Sequence, residues 1–168
     1  YNGGANYRYN AATKPAVTLS NQTGSIQASE PTESFVVRMA STGTTTAPYN
    51  WIAIPDVAGV QITQVVDVAT SAVVPNVSYS GGKIYYLSTT GLTSGTFKDY
   101  RIDFTYSTCN QTNIQVLGGW NCGIYPTDPD EYTCSKENIT LTFTPSIAEV
   151  EIISALQPSA PVNLCGLT

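Results

Sequence analysis

The chain has 168 residues, enough for one β domain of ordinary size, with a formal net charge of −5 and a sequence pI near 4.4. It contains no histidine, which excludes Ser-His-Asp and Cys-His catalysis, imidazole zinc ligation and an imidazole pH switch. Charged residues make up 11% against 42% hydrophobic, so a sizeable core can be buried, disorder is disfavoured, and the clustered cations that nucleic-acid binding needs are missing.

Residues 1–15 are a Gly-, Asn- and Tyr-rich lead-in or linker without a clear period. Strands are predicted near 16–20 and 25–29, and again over 34–40, where Phe35, Val37 and Met39 alternate with Val36, Arg38 and Ala40. Further strands are predicted at 49–54, at 59–66 (Val60 and Ile62 against Gln61 and Thr63), and at 83–88. The clearest alternation follows in 97–107, with Tyr100, Ile102, Phe104 and Tyr106 on one face and Arg101, Asp103 and Thr105 on the other. The series continues with 112–120, with 138–144 (Ile139, Leu141 and Phe143 against threonines and Asn138), and with 147–156. Period-two alternation places one face in a core and the other in water, the mark of half-buried antiparallel strands. No comparable pattern occurs at helical spacing. Gly and Pro break the chain at short intervals, as at Gly24, Gly43, Pro55, Gly81-Gly82 and Gly118-Gly119. About ten short strands with this punctuation predict an all-β, antiparallel two-sheet sandwich over 16–157. Residues 158–168 are a terminal segment or the start of a further unit.

Cys109, Cys122, Cys134 and Cys165 all fall in the last 60 residues, with no Cys-x-x-Cys pair to suggest a zinc ribbon or a redox motif. Two disulfides and an oxidising compartment are expected. Cys122 and Cys134 bracket a stretch with no strand pattern, and closing such a loop stabilises by about 3 kcal/mol in the chain-entropy model. Cys109 with Cys165 then follows by elimination. The first ten residues carry no apolar run, so the chain is expected to be a mature or excised piece of an exported protein. No stretch approaches the roughly 20 apolar residues that span a bilayer, so no membrane insertion is expected.

Few groups carry chemistry. Asp128, Asp130 and Glu131 form an oxygen-rich run in a Pro-containing loop and are the weak candidate for calcium, without the spacing of an EF-hand. A solvated acidic loop is the preferred reading, and no cofactor is expected. Glu149 with Glu151, and Glu30 with Glu33, are pairs of the kind a glycosidase needs, but nothing nominates a cleft between them. Eleven tyrosines and two tryptophans raise a carbohydrate-binding reading. Tyr100, Tyr106 and Trp120 fit a core better; Tyr85 and Tyr86 present opposite faces, and Trp51 fits either environment.

The stretch Y-R-I-D-F-T-Y-S-T-C from Tyr100, the run Trp120-Asn121-Cys122 with Tyr125-Pro126-Thr127-Asp128-Pro129 and Cys134, and I-T-L-T-F-T-P after it resemble a repeated domain of giant Bacteroidota surface proteins, the gliding-motility adhesins and their relatives. F-V-V-R-M-A-S-T-G is similar to a strand and turn of the same repeats, with Ser41-Thr42-Gly43 where Asn-Thr-Gly is more usual. The ending V-N-L-C-G resembles a boundary between repeats. The resemblance implies an immunoglobulin-like β-sandwich in a tandem array at the cell surface, a structural part of an adhesin or filament with no catalysis of its own. Its partners would be neighbouring repeats or identical subunits, with a surface glycan or a host or substratum ligand beyond them. The rival readings are a fibre subunit that self-assembles by strand exchange, with Ile147 to Leu156 or Ala16 to Ser20 as donor, and a carbohydrate-binding module.

Overall fold

The computed structural model describes residues 14–131 and 134–146. Ten strands lie within them: β1 Val17–Asn21, β2 Ile26–Ala28, β3 Thr32–Ser41, β4 Asn50–Pro55, β5 Val60–Asp67, β6 Asn76–Tyr79, β7 Gly82–Ser88, β8 Phe97–Tyr106, β9 Thr112–Trp120 and β10 Ser135–Pro145. They form two sheets, one in the order β1-β3-β8-β5 and the other in the order β2-β10-β9-β4-β7-β6. The fold is an all-β sandwich of the immunoglobulin-like kind: the alternation predicts the two-sheet sandwich, and the resemblance implies its immunoglobulin-like kind. All described pairings are antiparallel except that of β2 with β10.

Nine strands fall where the sequence places them. The expected strand 147–156 lies outside the described residues, as do the lead-in through residue 13 and the segment 158–168. β6 was not anticipated, because its residues are exposed on both faces and show no apolar alternation. It exists because Tyr79 pairs with Gly82 across the two-residue turn Ser80-Gly81, tying it to β7 as a hairpin.

The inward faces meet in one core. Phe35 stacks on Phe104 at 5.5 Å, and Phe104 and Tyr106 both contact Phe143, at 5.0 and 5.3 Å. Tyr100, Ile102, Val116, Trp120 and Leu141 are buried with them. Burying one such side chain stabilises by about 1.5–3 kcal/mol, so this face dominates the energetics.

The outer face of the four-stranded sheet is polar but ordered. Arg38 donates twice to Asp99, at 2.8 and 2.9 Å, and lies 3.6 Å over the Phe97 ring. Asp103, expected to face water, is buried beneath Arg101 and Gln64, which donate to it at 2.7–3.0 Å. Burial alone would raise its pKa, but these donors outweigh it and hold the carboxyl below the usual range.

Candidate functional site

The outer face of the six-stranded sheet departs from the rule that one face of a sandwich sheet meets water. Trp51 and Ala53 of β4 and Ile84 of β7 point outward, yet each is 0% exposed. Both faces of β4 are therefore buried, which explains why N-W-I-A-I-P reads as a continuous apolar run.

The cover is the connection from β9 to β10. Tyr125 lays its ring on Tyr86, 4.2 Å between centroids and 11° between planes, and meets Tyr49 edge-on at 5.3 Å. The Tyr86 hydroxyl donates to the Pro126 carbonyl at 3.3 Å, and Trp51 Nε1 donates to Asn121 Oδ1 at 3.2 Å. Tyr49 reaches this position with a φ of 44°, in the region a bulky residue adopts only when its surroundings impose it. Cys122 and Cys134 close the connection with a disulfide, their Cα atoms 6.6 Å apart. Gly119 lets the indole of Trp51 lie against β9: a Cβ there would sit 3.2 Å from Trp51 Cζ2 and collide with the Ser135 carbonyl oxygen.

The pKa values follow the packing. Burial pushes the Tyr125 hydroxyl up to about 12, helped by Tyr49 and Tyr86, and burial raises Tyr86, with the Glu131 carboxylate adding to it.

The acidic run is spent inside the same loop. Glu131 accepts from the Thr127 backbone N–H at 2.9 Å and the Thr127 hydroxyl at 2.7 Å, which hold its carboxyl below the usual range. Asp128 accepts from the Asp130 N–H, and Asp130 pairs with Lys136 at 3.0 Å. Asp128, Asp130 and Glu131 therefore brace the loop instead of converging on one point, and no group of three metal-ligating side chains occurs among the described residues. Glu33 is used similarly, accepting from the Ser29 and Glu30 N–H groups across the β2–β3 turn. Glu149 and Glu151 lie outside the described residues.

Cys109 is disulfide-bonded too, and Cys165 lies outside the described residues. Trp51, Trp120, Tyr85 and Tyr100 are buried, while the remaining described tyrosines are half-buried, so none of them offers a freely exposed ring. Sequence reasoning missed the cluster of Tyr49, Tyr86 and Tyr125, whose members are far apart in the chain. The one available signal was the apolar run on both faces of β4, which requires a cover.

No protein-family model matches the chain, and no curated protein matches it. Among solved structures it is similar to a cohesin module of a family 33 glycoside hydrolase from Clostridium perfringens, with 12% identity over 80% of this chain and 99% of that one and a TM-score of 0.48. It is also similar to CaCohA2 from Clostridium acetobutylicum (14% identity, 77% of this chain and 90% of that one, TM-score 0.47). A PapD-like domain of human CEP192 is similar as well (15% identity, 88% and 98%, TM-score 0.35). Identities this low extend to no side chain of the site.

Proposed function

We propose that this chain is a structural repeat domain of an extracellular adhesin or surface filament, without catalysis of its own, joined to neighbouring repeats and carried in an oxidising compartment. The observation that carries the reading is the path of the chain through the sandwich. Val17 of β1 pairs with Ser41, at one end of β3, whereas β10 ends just past Phe143, which packs on Tyr106 at the opposite end. Tension between the two ends therefore runs along the strands. It loads the β1–β3 ladder in shear, where the hydrogen bonds of a ladder resist together. The Cys122–Cys134 bond supports the oxidising compartment. The likeness to Bacteroidota surface repeats seen in the motifs around Trp120 is consistent with a tandem array. No helix of the described residues is long and apolar enough to cross a membrane.

We also propose that Cys109 pairs with Cys165, enclosing the smaller Cys122–Cys134 loop. Single-molecule extension of the chain, with and without reductant, tests both readings. Cys122 and Cys134 are 12 residues apart, so reducing that bond alone lengthens the unfolding step by about 40 Å. With Cys109–Cys165 closed as well, reduction releases the 56 residue steps between them and lengthens it by about 190 Å. A step near 40 Å would remove the outer bond from the proposal, and a step unchanged by reductant would count against the load-bearing role itself.

A further inference from the structure

A cavity of about 110 Å³ lies between the sheets where β5 faces β4 and β7, and its lining changes character from floor to mouth. The buried floor is Ile54 of β4, Tyr85 of β7 and Ile114 of β9, with half-buried Val60 and Ile62 of β5 as walls. Asp56, Gln61 and Lys83 line it too but are exposed, so they form the mouth. Among the described residues no strand pairs with β5 at 60–64 on its side away from β8, which leaves that flank of the cavity uncovered.

Lys83 is out of place by pattern. β7 turns Ile84 and Tyr86 to the outer face, so Lys83 shares the inward face with Tyr85, where alternation calls for an apolar residue. Its ammonium makes no ion pair among the described residues. Asp56, the first residue after β4, is fixed at the same end by its N–H, which donates to Gly81 O at 2.8 Å. Burial, helped by the Asp56 carboxylate, pushes the Tyr85 hydroxyl up to about 12, in keeping with a carboxylate on the cavity side. Asp56 and Lys83 therefore carry opposite charges at one mouth without pairing with each other. An ion pair there would be satisfied by itself, whereas two charges held apart leave room for a head group that carries both signs.

We propose that this cavity binds a free α-amino acid with a branched aliphatic side chain, its carboxylate on Lys83, its ammonium on Asp56 and its side chain on the apolar floor. An apolar floor with a few polar groups that fix orientation is the usual make-up of a small-molecule site. Size selects the side chain. An apolar cavity of about 150 Å³ takes benzene, so one of about 110 Å³ takes roughly four carbons, those of leucine or valine and not an aromatic ring. Charge selects the head. A peptide N-terminus offers only the ammonium and a C-terminus only the carboxylate, whereas the free amino acid offers both beside one side chain.

Chemical-shift titration of the isotope-labelled 168-residue chain tests this. Leucine is expected to shift the Ile54, Ile62 and Ile114 methyls and to saturate with a Kd of about 1 mM or tighter, as a ligand of this size allows. Leucinamide and N-acetylleucine each keep one charge and should bind about tenfold more weakly, and glycine should leave the methyls unmoved. Lys83→Gln should weaken leucine about tenfold and leave leucinamide as it was. Asp56→Asn should weaken leucine by a similar factor and spare N-acetylleucine. Both residues are exposed, so the fold survives either change, and unshifted β3 and β8 amides check that it does. Methyls unmoved by leucine at about 50 mM, well past such a Kd, would overturn the proposal. So would methyls moved by glycine, or leucine binding unchanged in either variant. Leucinamide or N-acetylleucine binding as tightly as leucine would overturn it too, since the ligand would then be a peptide end.

Discussion

Replacing Cys122 and Cys134 together by serine separates what the bond does to the unfolded chain from what the loop does to the native one. The bond closes a loop of 12 residues' separation, and its removal returns about 3 kcal/mol of conformational freedom to the unfolded state. For a chain of this length, each kcal/mol shifts the midpoint by about 2–4 °C, so calorimetry should show a fall of about 6–12 °C. The native cover has its own anchors in the Tyr125–Tyr86 stack and the Trp51–Asn121 hydrogen bond. Emission from folded Trp51, isolated in a Trp120→Phe background, should therefore stay that of a buried indole. Urea unfolding should show a steeper slope, because the uncrosslinked chain exposes more surface. A loss under about 1 kcal/mol would refute the chain-entropy argument. A red-shifted native emission would refute it differently, by showing that the bond holds the loop down.

Three other perturbations probe the same region. Tyr125→Ala removes two aromatic contacts worth about 0.5–1.5 kcal/mol each. It should cost about 2 kcal/mol and red-shift Trp51 emission with the disulfide intact; an unshifted spectrum would mean the ring is not the cover. Gly119→Ala drives a methyl into the Ser135 carbonyl and against Trp51, and should cost about 2–3 kcal/mol by urea midpoint, whereas a neutral result would contradict the close approach. Burial pushes Tyr125 and Tyr85 up to about 12, above the ordinary tyrosine value of about 10. Because the folded pKa is the higher one, the stability they contribute is complete below about pH 10 and is lost as pH rises toward 12. Tyrosinate absorbance followed with circular dichroism should show them ionising as the fold melts, and ionisation near pH 10 with the sheets intact would overturn their burial.

Much of this architecture is local and so is written in neighbouring residues. Tyr100, Ile102 and Phe104 alternate strictly because a strand turns successive side chains to opposite faces, and that period is visible without knowing the partner strand. The Cys122–Cys134 bond was legible for a similar reason, since two cysteines around a patternless stretch have few other ways to be used. β6 was not legible, because its residues, three exposed and one half-buried, form a strand only through pairing with β7. Asp103 was assigned to water by its period, and only the arrival of Gln64 from β5 beside Arg101 buries it.

The sequence by itself determined the sandwich class, the alternating faces of four strands and the position of one covalent staple, all of which depend on periodicity and short spacing. Tertiary structure alone decided that the stapled loop lies across the outer face of β4 and β7, with Tyr49, Tyr86 and Tyr125 gathered over Trp51. It also decided that, among the described residues, the outer edge of β5 at 60–64 has no paired strand beside the cavity. Both depend on which distant segments meet. An alternating pattern says that a face is buried without saying what buries it, and an edge strand differs from a central one only in having a neighbour on one side.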